Sequence, residues 1–237
     1  MKQSPHQRGD CSPALHRTQC GASVERKSTA LAMTNFTNME NNMEPIPFLL
    51  ETERLLIRQF RDEDIEAFIA YRNDPDVARW QGWDVPYPRE KAMEFIEEMK
   101  NKNPEEAGNW LQTAIIVKES SEFIGDAAFF IKKDDNRQAY IGCTIAQKYW
   151  RKGYSVEATR RLLAYLFETR GIHRVIAETD VENVASYSTL ERLGFRREAH
   201  LVENIWFKGN WASEYHYAML EREWQAHQRD GQTTQGL

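Results

Sequence analysis

The sequence predicts an α+β fold, a mixed and mostly antiparallel central sheet flanked by helices. Three strand-like runs follow one another with only short turns between them, then the apolar period lengthens to that of a helix, and a strand returns after it. Length and composition agree with one such domain. The chain has 237 residues, of which 41% are hydrophobic and 28% charged, ordinary values for a globular protein able to bury a full core. A formal charge of -5 lacks the basic footprint of a dedicated nucleic-acid binder. Cys11, Cys20 and Cys143 stand at unrelated spacings and the six histidines form no metal-site pair with them, so neither a disulfide framework nor a metal is expected. A reducing, cytoplasmic setting is the default.

Residues 1–44 hold only four members of the Ile/Leu/Val/Phe/Trp/Tyr set (Leu15, Val24, Leu31 and Phe36), too little apolar surface to offset the entropy of ordering, and read as a disordered extension. No apolar run is long enough for a secretory signal or a membrane span. The domain is expected over 45–225, with 226–237 as a flexible tail. Leu55, Leu56 and Ile57 make its first strand, and Asp62 is placed to cap a helix bearing Ile65, Phe68 and Ile69, stopped at Asn73-Asp74-Pro75. A helix after Pro88 carries Ala92, Phe95, Ile96 and Met99 at buried-stripe spacing. Strands at Leu111 to Val117, Phe123 to Ile131 and Ala139 to Ala146 form an antiparallel meander. Between Gly153 and Arg170, Val156, Leu162, Leu163, Leu166 and Phe167 trace a helix face, and Gly171 stops it. His173 to Thr179 is a strand. Asn183 caps a short helix with Val184, Tyr187, Leu190 and Leu193 inward, and Gly194 ends it. Strands near Phe195 to Trp206 and Ser213 to Leu220 close the domain around the turn Lys208-Gly209-Asn210.

Chemistry concentrates at YWRKGYSVEA, Tyr149 to Ala158. A strand that enters a helix through a tight turn with a glycine presents unpaired N–H groups at the positive end of the helix dipole, a place suited to pyrophosphate. Taken with ETERLLIRQFRDEDIEAF, YRNDPDVARWQGW, FIGDAAF, RQAYIGCTIA, NVASYSTLERLGFRRE and ENIWFKGNWASEYHYAML, in this order, the segment resembles the GNAT superfamily of acetyl-CoA-dependent N-acetyltransferases, closest to the RimJ/RimL-type ribosomal-protein acetyltransferases. The resemblance spans roughly Glu51 to Trp224.

It implies a sheet that splits between the Ala139 to Ala146 and His173 to Thr179 strands, where acetyl-CoA binds. Pantetheine would pair with the strand near Ile145 and Ala146, with an N–H near Ala146 polarising the thioester. The amides of Arg151, Lys152, Gly153, Tyr154 and Ser155 would hold pyrophosphate, with Asn183 and Ser186 facing the pantetheine arm. The family's phosphate motif keeps only its central glycine, Gly153, and Arg151 stands where glycine is common. Relatives carry a glutamate where this chain has Tyr140, a poor base with a reference pKa of about 10. Replacement bases are Asp126, Glu203 and His216, directly or through water. Leu190 replaces the tyrosine that serves as acid in many relatives, and Ser186 can take that role, as in the RimJ/RimL branch. The implied reaction is direct acetyl transfer to an amine, a protein N-terminus or a small molecule, without metal, nucleic acid or membrane; a homodimer stays open. The alternative is a GNAT-fold acyl-CoA-binding or protein-interaction module with little turnover, motivated by Tyr140 and Arg151.

The other conspicuous residues have structural explanations. Cys143 shares strand parity with Ile141 and Ile145, as a small buried hydrophobe would. Trp80, Trp83 and Tyr87 fit an acceptor pocket or plain packing, as do Trp206, Phe207 and Trp211. Arg160 and Arg161 read as a solvated helix face.

Overall fold

Residues 48–233 are described in a computed structural model of the protein, and the expected extension over 1–44 lies outside them. Eight strands, β1 (Leu49–Glu51), β2 (Leu55–Arg58), β3 (Trp110–Val117), β4 (Phe123–Ile131), β5 (Gln138–Ile145), β6 (Arg174–Asp180), β7 (Arg196–Phe207) and β8 (Asn210–Leu220), form one sheet in the order β1-β2-β3-β4-β5-β6-β8-β7. All neighbours are antiparallel except β5 and β6. The α+β expectation and the meander of β3, β4 and β5 both hold.

Helices α1 (Ile65–Arg72) and α3 (Arg89–Asn101) cover one face. Phe68, Phe95, Ile96 and Met99 pack there with Ala114, Ile116 and Phe123. Helix α4 (Tyr154–Ala164) covers the other through Leu162 and Leu163, joined by Leu166, against Ile57, Ile115, Ile124 and Val175. The first cluster contains no residue of β6 or β8, so the apolar packing of α1 and α3 does not extend to those strands. Strand β6 shows this in its own alternation: Val175, Ala177 and Thr179 are buried, while Arg174, Ile176, Glu178 and Asp180 on the opposite face are half-buried.

Strands β5 and β6 pair in parallel only at Gln138 with Arg174, Ala139 with Val175 and Tyr140 with Ile176. Past Tyr140 they part, while β5 stays bonded to β4 as far as Ile145 and β6 to β8 as far as Asp180.

Several local expectations are corrected. Asp62 pairs with Lys100 at 2.7 Å, and the turn is closed by Asp64, which accepts the Arg61 N–H at 2.8 Å. Pro75 does not end the helical region but starts the short α2 (Pro75–Ala78), with the Asp74 side chain accepting from Asp76 N–H. The α4 helix ends in a π-helical turn, Tyr165–Thr169, before Gly171 at φ 63°. In α5 (Val184–Arg192), Leu190 is buried but Val184, at the first position after the Asn183 cap, is 57% exposed. Residues 226–233 belong to a helix, α6 (Glu221–Thr233). Trp224 anchors it, stacked on Phe167 with ring centroids 5.9 Å apart, its indole N–H donated to Glu168 at 2.9 Å. Among the described residues no helix is long and apolar enough to cross a membrane.

The entry into α1 rests on one buried ion pair. Arg58 donates to both Asp64 oxygens at 2.7 and 2.9 Å, and the two side chains are 9% and 4% exposed. Removing one partner strands the other charge away from water. Asp64→Ala should therefore cost about 3–5 kcal/mol, read from the urea midpoint at constant slope.

Candidate active site

The gap between β5 and β6 has two chemically different walls, and backbone parity defines the first. Ala146 N–H donates to Ile124 O at 2.8 Å, so along β5 the peptide groups of the even-numbered residues face β4, and those of Cys143 and Ile145 face the gap. This narrows the expectation of a donor near Ala146: the Ala146 N–H is committed to the sheet and its carbonyl to Tyr149 N–H at 2.9 Å, leaving the neighbouring Ile145 N–H aimed into the gap. The Ile145 carbonyl accepts the Trp150 indole N–H at 2.6 Å.

Below the gap, β5 leads through a short turn (Gln147–Tyr149) into the loop that opens α4. Arg151 has φ 61° and Gly153 φ 80°. The left-handed geometry that would suit glycine at position 151 is thus kept by an arginine, at a cost of about 1–2 kcal/mol. The first helical bond is Glu157 N–H to Gly153 O, and the amides from Arg151 to Ser155 before it have no acceptor among the described residues. They form a nest at a helix N-terminus beside the charges of Arg151 and Lys152. At Gly153 an added Cβ would meet only Arg54 Nη2, at 3.5 Å, so the requirement for glycine is conformational rather than spatial.

Glu157 fixes this loop to the sheet. It accepts from Thr52 Oγ1 at 2.5 Å, Arg54 N–H at 3.0 Å and Arg54 Nε at 2.6 Å, while Arg54 Nη1 reaches back to Lys152 O at 3.1 Å. These donors hold the Glu157 carboxyl below its ordinary range against the opposing effect of burial. An open groove of about 580 Å³ extends from Gly153 along α4, with Arg160 and Arg192 among its lining residues.

The proposed acid and base residues do not all meet. Ser186 is half-buried on α5, and its N–H is held by the Asn183 side chain at 3.2 Å, so Asn183 Oδ1 serves as the helix cap. Tyr140 is half-buried at the last β5–β6 pair, and burial followed by the Glu178 charge raises its pKa further from a useful base. Asp126 is 1% exposed on β4, under α1. Burial raises its pKa, opposed by the nearby Arg72 charge and by hydrogen bonds with Gln112, at 3.2 Å, and Tyr71. Arg72 is itself buried, its guanidinium 3.7 Å from the Trp83 ring centroid. Trp83 and Tyr87 are therefore core residues packed around Arg72. Glu203 sits in an irregular, exposed stretch of β7 at the sheet edge, with β6 and β8 between it and β5. Burial pushes the Cys143 thiol up to about 12, where it is no nucleophile.

Sequence reading missed Glu178. On β6 it shares the face of Ile176, hence of Tyr140, and is the first side chain on that face past the point where β5 leaves. Its position on β5 would be matched by Gly142, which has no side chain. Its carboxylate is 16% exposed, accepts no hydrogen bond among the described residues, and has His216 Nδ1 at 3.7 Å across β8. Burial, with Glu214 adding repulsion, raises its pKa from 4.5 to about 7. The alternation in RVIAETD could have placed it on the open face; its burial needs the β6–β8 register.

Comparison with known proteins agrees with this geometry. The acetyltransferase (GNAT) domain family matches residues 54–196. The uncharacterized N-acetyltransferase YnaD of Bacillus subtilis is 33% identical over 175 residues, 74% of this chain and 98% of that protein. The ribosomal protein uS5 alanine N-acetyltransferase of Escherichia coli is 25% identical over 189 residues, 74% of this chain and 92% of that one. The crystal structure of a GNAT-family acetyltransferase from Bacillus anthracis superposes with a TM-score of 0.65 at 30% identity, covering 74% of this chain and 99% of that one.

The raised pKa of Glu178 has a consequence for stability. Below pH 4.5 folded and unfolded chains both hold the proton; between 4.5 and about 7 the unfolded chain releases it first, so this contribution falls as pH rises and stays lowered above 7. Glutamine does not titrate. Glu178→Gln should therefore melt above wild type at pH 8, with the difference disappearing by about pH 4 in calorimetric scans.

Proposed function

The chain belongs to the GNAT family of N-acetyltransferases, and on that premise we propose that it moves the acetyl group of acetyl-CoA directly to a primary amine lodged between β5 and β6. The observation that carries this reading is the conjunction of the parted strands with an orphaned amide nest at the end of β5. A pantetheine arm is an extended chain of amides, and the gap offers it an unpaired strand edge at Cys143 and Ile145. The amides from Arg151 to Ser155 suit the pyrophosphate, with Lys152 and Arg151 adding charge. Arg160 and Arg192 along the groove suit the phosphate on the adenosine.

Within that frame the Ile145 N–H polarises the thioester carbonyl, and Trp150 must release the Ile145 carbonyl if pantetheine is to pair there. The amine attacks the carbonyl carbon, the carbon–sulfur bond breaks, and the Ser186 hydroxyl supplies a proton to the departing thiolate. A protein N-terminus is the favoured acceptor, by analogy with the uS5 alanine enzyme. The exposed pair Trp206 and Trp211, rings 5.6 Å apart at the β7–β8 tip, offers apolar contact for the residues behind such a terminus.

A thiol-release assay with acetyl-CoA and three acceptors, an alanyl-N-terminal peptide, a lysyl peptide blocked at its N-terminus, and spermidine, tests the reading; CoA binding without amine-dependent release from any of them would reject it. Gly153→Val should raise the CoA dissociation constant tenfold or more by calorimetry, because each misaimed charge-assisted bond is worth about 1.5–3 kcal/mol. Ser186→Ala should lower kcat by about 100-fold at unchanged CoA affinity.

A further inference from the structure

We propose that Glu178 is the general base that takes the proton from the incoming ammonium. This rests on the acetyl-transfer reading above and supplies the group that Tyr140 does not. The argument is positional. Tyr140 marks the end of the β5–β6 ladder, and one step further along the same face β6 presents Glu178 while β5 presents Gly142, so no β5 side chain stands at the matching position. Among the described residues the apolar cluster beneath α1 and α3 includes none from β6 or β8.

The charged surroundings favour a base that binds a cation. Arg174, four residues back on β6 and on the same face, is spent on Glu198, to which both its terminal nitrogens donate. His216 and Glu214 face Glu178 from β8, Asp180 lies beyond it on β6, and Tyr140 bounds it from β5. Among the described residues the Glu178 carboxylate thus has acidic neighbours in Glu214 and Asp180, accepts no hydrogen bond, and has no Lys or Arg paired to it, with His216 Nδ1 at 3.7 Å. A protonated amine entering the gap supplies what it lacks, and burial leaves the group basic enough to accept a proton near neutrality.

The step balances without further reagents. An N–H bond of the ammonium breaks and its proton passes to a Glu178 oxygen; the freed lone pair forms the C–N bond while the C–S electron pair leaves with CoA, and a second N–H bond breaks as the amide forms, its proton replacing the one that Ser186 gives to the thiolate. The carboxylic acid then loses its proton to water, and the net change is one amide, one thiol and one released proton.

The experiment measures kcat/KM against pH for wild type and Glu178→Gln with the alanyl peptide, the blocked lysyl peptide and spermidine, alongside CoA affinity. The wild type should show an acidic limb near pH 7 that stays in place when the acceptor changes. Glu178→Gln should lose about 100-fold or more in kcat and lose the limb, with CoA affinity unchanged. Glu178→Asp should retain a limb at reduced rate. An active wild type whose limb follows the acceptor's own pKa, or a Glu178→Gln protein with the wild-type rate and limb, would overturn the assignment of Glu178 alone. A wild type that binds no CoA or releases no thiol with any of the three would overturn the transfer reading, and this one with it.

Discussion

The parting of β5 from β6 is the constraint on which the rest depends. Each strand is fully paired on its outer side, β5 with β4 through seven residue pairs and β6 with β8 through seven, and only three pairs join the halves. A sheet that opens in its middle leaves peptide groups without partners, and buried unpaired peptide groups are costly. The fold tolerates this because the two halves are held together elsewhere: by α4 and the π turn packed across β2, β3, β4 and β6, and by α6 tied to Phe167 and Glu168. Close approach supports it on the β4 side, where Gly125 at φ 151° leaves no room for a Cβ, with Thr144 O only 2.1 Å from where it would stand.

A second dependence links the start of the domain to the loop below the gap. Thr52 and Arg54, at the β1–β2 turn, share Glu157 on the first turn of α4, and Arg54 also holds Lys152 O and covers the Tyr154 ring at 4.5 Å. The loop's left-handed residues are therefore fixed by contacts from a distant part of the chain. Strain at Arg151 persists because this scaffold over-determines the turn, and it keeps five amides pointing outward instead of into a longer helix.

Much of this was legible in the sequence, because most elements follow one period each. The meander, the Arg89–Asn101 helix and the Asn183 cap are local patterns, and the structure reproduces them. What escaped depended on register or on distant partners. A three-residue β1 has too few positions to show alternation. Helix α6 is polar apart from Ala226 and Trp224, whose partner Phe167 is remote in sequence. Asp126 and Glu178 are both acids on strands, and only the sheet order shows that the first is sealed under α1 while the second borders the open gap.

The acid–base arrangement also discriminates between amines before any contact of shape. A carboxylate titrating at about 7 accepts a proton from an α-ammonium of pKa about 8 at a cost of roughly 1.4 kcal/mol, against roughly 4.6 kcal/mol for a lysyl ammonium near 10.4. Lowering the glutamate toward 4.5 would raise both costs by roughly 3.4 kcal/mol and leave their difference intact. Burial of Glu178 thus sets how fast any amine is deprotonated, while the amine's own basicity sets the ranking. The two walls of the gap divide the electrostatic work: the Arg151–Ser155 loop is cationic and donor-rich at one end, and Glu178, Asp180 and Glu214 are acidic at the other. An anionic cofactor and a cationic acceptor are each drawn to one wall and repelled by the other, so that they meet in one orientation, across the point where β5 and β6 separate.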